Sequence, residues 1–213
     1  MSFLFVYIAR PKNQESFKLL LAFSGAFLLA LSFFELLPEV YSMLKPKSVA
    51  VFILVGILLQ VFLEFFSKGA EHGHVHLDLN ENRFPIVLFI SLSLHALIEG
   101  VPLHRGDSII YGILIHKIPV ALILSVFLLN SNLKIGLSIL FISLFAVMTP
   151  LGSFLAYESS FISKFSSELT AVTIGVFLHI STIVLFESAQ DHAFNLRKLV
   201  VIVLGFIAGY FLY

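Results

Sequence analysis

The chain has 213 residues, of which 59% are hydrophobic and 12% are charged, and its formal net charge is zero. A soluble domain is about 45–50% apolar and about 25% charged, so this composition excludes an ordinary soluble domain and indicates a protein of the lipid bilayer. A net charge of zero gives no support for a nucleic-acid partner, and the absence of cysteine excludes disulfides and thiolate metal sites.

The first apolar segment, Met1–Ala9, is too short to cross a bilayer. At about 1.5 Å per residue, it covers roughly half of the hydrocarbon thickness. It also lacks the basic start and the small-residue cleavage site of a signal peptide. We therefore interpret it as the end of an incomplete helix.

Seven longer apolar runs follow along the chain, and polar breaks separate them. A run of about 20 apolar residues is long enough to cross a bilayer as a helix. Most of the breaks are short, which favours antiparallel neighbours. The sequence therefore predicts an all-α, polytopic transmembrane helix bundle that forms a single transmembrane domain. The predicted spans lie at about residues 16–42, 48–67, 85–104, 108–130, 134–157, 168–188 and 197–213.

Lysines and arginines are divided unevenly between the two sets of alternating loops. One set holds eight of them and the opposite set holds four. Because cytoplasmic loops carry an excess of these residues, we expect the first set to be cytoplasmic and the C-terminus to lie outside the plasma (inner) membrane. The eight are Arg10, Lys12, Lys18, Lys68, Arg83, Lys134, Arg197 and Lys198, and the four are Lys45, Lys47, Arg105 and Lys164.

The polar loop at residues 68–84 is cytoplasmic in this orientation, and it carries three alternating histidines. These are His72, His74 and His76. Their imidazoles could gather metal ions at the cytoplasmic end of an ion path. A solvated loop with chance histidines is the alternative, and the sequence leaves both interpretations open.

Ionisable residues stand in the middle of the third and fourth predicted spans. A charged side chain near the bilayer centre costs at least about 2.5–3.5 kcal/mol on insertion scales, so it normally faces a partner, a cavity or an ion path. His95 and Glu99 are four residues apart, which places them on one face of a helix. His116 lies on the next span. Imidazole and carboxylate are ligands for divalent transition metals, so the pattern predicts a metal site.

Prolines accompany these residues. Pro119 has no N–H, so the carbonyl of Ile115 loses its helical partner, and Pro38 and Pro150 act in the same way on their own spans. Broken helices with free carbonyls line the ion paths of transporters. The alternative is a bundle held by buried polar pairs, in which the prolines are incidental kinks.

Taken together, these motifs resemble the ZIP family of divalent-metal transporters, and the resemblance runs from about residue 16 to the C-terminus. It implies eight spans with both ends outside, so that Met1–Ala9 would be the remnant of the first. It also implies a bundle of metal-bearing spans that slides against the other helices, and it allows a homodimer. The motifs are Phe34-Glu35-Leu36-Leu37-Pro38-Glu39, His95-x-x-x-Glu99-Gly100, His116-Lys117-x-Pro119, Thr149-Pro150-Leu151-Gly152 and Gly175-Val176-Phe177-Leu178-His179.

The resemblance implies that His95, Glu99 and His116 form the primary transport site. A further ligand that is usual in the family is replaced here by Val120. The adjacent secondary site falls on Ala96, Lys117 and Thr149.

Lys117 argues against a second metal at that position. An ammonium cannot ligate a metal while it is protonated, so Lys117 could replace a second metal as a fixed charge. Glu99 is its nearest candidate partner.

Two further residues are candidates for the ion path. Glu35 stands where relatives often carry histidine, which makes it a candidate ligand at the mouth. His179 lies in the sixth predicted span near Gly175, which permits close helix approach. It either lines the path or is a buried histidine bonded to a backbone carbonyl.

Two imidazoles and one carboxylate suit zinc, iron(II), manganese or cobalt, and the resemblance favours zinc. We therefore predict a transporter, not an enzyme, that moves a divalent metal ion toward the cytoplasm. A non-transporting metal-binding sensor or pseudo-transporter is an alternative. An intramembrane zinc metallohydrolase is a weaker one, because the chain lacks the His-Glu-x-x-His motif.

Overall fold

The computed structural model describes residues 2–9, 14–67, 83–105, 107–186 and 196–213. Within these ranges every regular element is helical, as the apolar runs predict. The α-helices are α1 (Ser2–Ala9), α2 (Gln14–Leu31), α3 (Leu37–Met43), α4 (Pro46–Ser67), α5 (Ile86–Gly100), α6 (Asp107–Asn130), α7 (Ile135–Glu158), α8 (Ser160–Lys164), α9 (Ser166–Phe186) and α10 (Leu196–Leu212).

In the part of the chain that the structure describes, six helical stretches are long and apolar enough to cross a membrane. They match six of the predicted spans to within a few residues, which confirms an all-α transmembrane bundle. The seventh, α10, has 17 residues and is about 26 Å long at about 1.5 Å per residue, which is near the lower limit for a span. The number of seven spans therefore stays a prediction. The six stretches are Ser16–Met43, Pro46–Ser67, Ile86–Leu103, Ile109–Asn130, Ile135–Glu158 and Ser166–Phe186.

The outer surface of the helices is apolar. Leu58, Phe65 and Phe154 in the middle or second half of their spans expose 68%, 76% and 58% of their areas. Side chains of this kind are stable on an outer surface only where lipid, not water, surrounds them. His95 and Glu99 point the other way and are buried.

The chain departs from regular α-helix before Pro38. Because Pro38 cannot donate a hydrogen bond to the carbonyl of Phe34, the backbone widens into a π-helical turn over Ser32–Leu36, which joins α2 to α3. There the N–H of Leu37 donates to the carbonyl of Ser32. By contrast, α6 and α7 continue through their internal prolines without an interruption of the helix.

Close helix contacts at glycines position the elements around the centre of the bundle. A Cβ atom at Gly100 of α5 would lie 2.2 Å from the carbonyl oxygen of Thr149 in α7. A Cβ atom at Gly56 of α4 would lie 2.0 Å from the carbonyl oxygen of Val172 in α9. Only glycine allows backbones to approach this closely, as is common between membrane helices. The backbones of α5 and α4 are therefore held tightly against α7 and α9.

The bundle of metal-bearing spans that the resemblance implies corresponds to α5 and α6 with α1 and α7. We call these helices the first group, and α2, α4, α9 and α10 the second group. In the first group, α5 and α6 pack against α7, and α1 packs against α6. In the second group, α4 packs against α9, and α2 packs against α9 and α10. Contacts do not separate the two groups, because α6 packs more extensively against α2 than against α7, and α4 also packs against α5.

Candidate metal centre

Helices α5 and α6 bring together the three side chains that the sequence predicts as metal ligands. Glu99 Oε1 lies 3.1 Å from His95 Nε2 and 3.6 Å from His116 Nε2. One ligand atom from each of the three residues lies within 4.8 Å of the others. Among the described residues, this is the only group of three or more such side chains close enough to share an ion.

The cluster is shielded from the surroundings. Its three side chains expose 2%, 0% and 2% of their areas, in the order His95, Glu99 and His116. A buried carboxylate without a compensating charge is strongly unfavourable. The geometry therefore requires a cation or several hydrogen-bond donors next to Glu99.

Lys117 supplies one such charge. Its Nζ forms an ion pair with Glu99 Oε2, which confirms the partner expected from the sequence. The ammonium also lies 5.0 Å from the centre of the Phe145 ring in α7, within the range of a cation–π interaction. Oxygen Oε2 of Glu99 thus faces the lysine, while Oε1 faces the two imidazoles.

Because only Oε1 of Glu99 faces the imidazoles, the site offers a metal three donor atoms. Two imidazole nitrogens and one carboxylate oxygen converge on one point, and a divalent metal with three protein ligands keeps at least one open position for water. No thiolate contributes, so the donor set suits zinc, iron(II), manganese or cobalt.

The three residues expected from the resemblance at a secondary site offer little to a second ion. Ala96 is fully buried in the apolar core and Lys117 is bound to Glu99. Thr149 is 9% exposed, and its backbone packs against Gly100. Val120, at the position where the resemblance implies a further primary ligand, is 2% exposed and belongs to the apolar core.

The other candidates that the structure describes, Glu35 and His179, do not belong to this cluster. Glu35 lies on the π-helical turn and is not one of the three clustered ligands. His179 Nε2 lies 2.7 Å from Glu64 Oε2, so this ring contacts a carboxylate of α4 and not the backbone carbonyl considered above. His72, His74 and His76 lie outside the described residues.

Gln60 of α4 contacts His95, and the sequence did not predict this contact. Its side chain is fully buried, and its Oε1 lies 3.1 Å from His95 Nδ1, the ring nitrogen that faces away from Glu99. The available signal was an amide in an otherwise apolar span, since polar side chains inside membrane helices usually have a partner. Its partner lies 35 residues away along the chain, so spacing could not reveal it.

Comparison with known proteins agrees with the motifs. A family model described as ZIP zinc transporter matches residues 71–212. Zinc transporter ZIP1 of Danio rerio is 36% identical over 93 residues, which cover 40% of this chain and 30% of that protein. Protein zntD of Dictyostelium discoideum is 28% identical over 163 residues, which cover 65% of this chain and 24% of that protein. The chain thus matches less than a third of the length of these two relatives.

Proposed function

Because this chain belongs to the ZIP zinc transporter family, we propose that it carries a divalent metal ion, zinc by preference, across a membrane toward the cytoplasm. The observation that carries the proposal is the buried cluster of His95, Glu99 and His116 on adjacent spans. A cluster of this kind is costly inside a bilayer, and such clusters mark substrate and ion pathways.

The three clustered residues are the transport ligands in this proposal. The metal binds to the two Nε2 atoms and to Glu99 Oε1, and water completes its coordination. A transport site must bind well enough to load and weakly enough to unload. Val120 contributes no fourth protein ligand, which favours release.

Lys117 takes the place of a second metal. Its ammonium is paired with Glu99 Oε2, on the side of the carboxylate that faces away from the imidazoles. A fixed positive charge there compensates the buried carboxylate without adding an ion. We therefore expect one metal ion per chain at the centre.

Transport requires the site to open toward each side in turn. The ligands lie on α5 and α6, which belong to the first helix group, whereas α2, α4, α9 and α10 form the second. We propose that the first group slides against the second along the contacts of α2 with α6 and of α4 with α5. The proposed topology places the loop 68–84, with its three histidines, at the cytoplasmic exit of a plasma-membrane protein.

A non-transporting metal-binding sensor is the second candidate function. One observation favours it: Lys117 already neutralises the carboxylate that the metal would bind, so an ion gains less by entering. A sensor of this kind would bind zinc in the absence of transport. Binding and uptake must therefore be measured on the same protein.

Zinc uptake into vesicles that contain the purified protein separates the two functions. We expect saturable uptake by the wild type and none by His95→Ala, which removes a ligand but leaves the helix intact. The control is Thr182→Ala, because that exposed hydroxyl bonds only carbonyls of its own helix. Zinc binding without uptake by the wild type would favour the sensor. Equal uptake by His95→Ala at low zinc would refute the assigned site.

A further inference from the structure

Gln60 stands out because a fully buried amide lies in an apolar membrane span. Its Oε1 contacts His95 Nδ1, while its Nε2 has no hydrogen-bond partner among the described residues. A buried polar group without a partner destabilises the fold, so a residue kept in this position needs a compensating benefit. Leucine would pack in the same apolar span without that cost.

The benefit lies in what the amide oxygen does to the imidazole. An amide oxygen only accepts hydrogen bonds, so the contact requires a proton on Nδ1 of His95. Nε2 is then the ring nitrogen that offers its lone pair to a bound metal, and it lies 3.1 Å from Glu99 Oε1, the other proposed ligand atom. Partners on the far nitrogen of a metal-binding histidine fix the ring orientation and increase its basicity as a ligand.

The scaffold that holds Gln60 is rigid at this level. Gly56, one helical turn before Gln60, packs directly on the backbone of α9. Residues four apart lie on one face of a helix, so this contact fixes the depth and the direction from which the amide approaches. His95 is thus oriented by a helix that supplies none of the three ligands.

The contact between Gln60 and His95 has a second consequence, which is that metal affinity depends on the arrangement of the helices. Gln60 belongs to the second helix group, and His95 belongs to the first. If the groups slide, the hydrogen bond exists in one arrangement and is lost in the other. A contact that stabilises the bound ion in only one arrangement makes the two affinities differ, which is what loading and release require.

We propose that Gln60 is a positioning residue that orients His95 toward the metal and raises metal affinity only while α4 and α5 are in the arrangement seen here. The proposal rests on the proposed function, since it concerns the same metal centre. It adds a residue from the opposite helix group and a reason for the affinity to change during transport.

The test uses the full chain, purified in detergent, with zinc and cobalt(II) as probes. Gln60→Leu removes the acceptor at similar volume, and Gln60→Glu restores one. We expect Gln60→Leu to bind zinc about 10–100-fold more weakly, as is typical when such a partner is lost. Gln60→Glu should stay within a few-fold of the wild type. The visible absorption bands of bound cobalt(II) should change in Gln60→Leu, because a reoriented imidazole alters the ligand field.

Ser91→Ala is the matched control. The Ser91 hydroxyl donates to the carbonyl of Leu63 and therefore also links α5 to α4, one turn before His95, but it contacts no ligand. We expect this variant to keep the zinc affinity and the cobalt(II) spectrum of the wild type. Equal weakening by both substitutions would mean that helix packing, not ring orientation, is responsible, and would overturn the proposal.

Uptake kinetics test whether the contact of Gln60 with His95 makes metal affinity differ between the two helix arrangements. Gln60→Leu should change KM for zinc, whereas Ser91→Ala should keep the wild-type KM, because only the first substitution removes a contact to a proposed ligand. If Gln60→Leu does not fold, Gln60→Asn is measured instead, since its shorter amide cannot reach Nδ1. Wild-type affinity and spectrum in the folded variant would refute the role of Gln60. A wild type that binds no zinc would refute the proposed function itself.

Discussion

Replacing Lys117 with methionine tests whether its charge compensates Glu99. Methionine keeps a long, flexible side chain near Phe145 but removes the ammonium that pairs with Glu99 Oε2. The carboxylate is fully buried, and loss of one partner of a buried ion pair typically costs about 3–5 kcal/mol. We therefore expect the metal-free variant to unfold at a distinctly lower temperature than the wild type.

Zinc should reverse this loss in the variant. Once Lys117 no longer competes for the carboxylate, the divalent ion becomes the main compensating charge. A ligand present at 100 times its Kd stabilises the folded state by about 2.7 kcal/mol. We expect Lys117→Met to gain more stability from a given zinc concentration than the wild type does, because its Kd should be lower.

Thermal unfolding in detergent, with a chelator and then with increasing zinc, measures both effects. Lys164→Met is the matched control, since Lys164 lies 5.7 Å from the Phe165 ring and outside the metal centre. This control should change neither the metal-free stability nor the response to zinc. If metal-free Lys117→Met is as stable as the wild type, Lys117 does not compensate Glu99 and the reasoning fails.

Two further predictions concern the number of ions and the histidine loop. Lys117→Glu should bind a second metal at the centre, whereas Lys117→Gln should not, and elemental analysis of the purified proteins measures the metal stoichiometry. Two central ions in the wild type would contradict this account of Lys117. Replacing the three histidines of the loop 68–84 with alanine should lower the apparent affinity for zinc but leave uptake in vesicles. Complete loss of uptake by the folded variant would place the loop on the path itself.

The sequence predicted the elements whose physical cause is local. An apolar run of about 20 residues can satisfy its backbone in lipid only as a helix, so the span at residues 48–67 was predictable and is observed as Pro46–Ser67. The spacing of His95 and Glu99 fixed their shared face for the same reason. The effect of Pro38 was also local, and the π-helical turn before it has the expected cause.

Contacts between distant spans could not be read from spacing. His179 meets Glu64 across 115 residues, because α4 and α9 pack closely at Gly56. The sequence marked each residue as an unusual polar group in lipid but did not show that they were partners. Which helices pack together depends on glycine contacts that form only in the folded bundle.

At the metal centre, too, residue type predicted the ligands but not the side chains from other helices that contact them. The ligands could be predicted from residue type, because imidazole and carboxylate inside a bilayer need a cation or another partner. The groups that adjust them, Lys117 on Glu99 and Gln60 on His95, come from different helices and act on opposite ends of one short chain of contacts. Lys117 lowers the gain from binding an ion, and the proposed role of Gln60 raises it. In the proposed transport cycle, the affinity of the site is therefore a balance between a charge that moves with the ligands and an amide that does not.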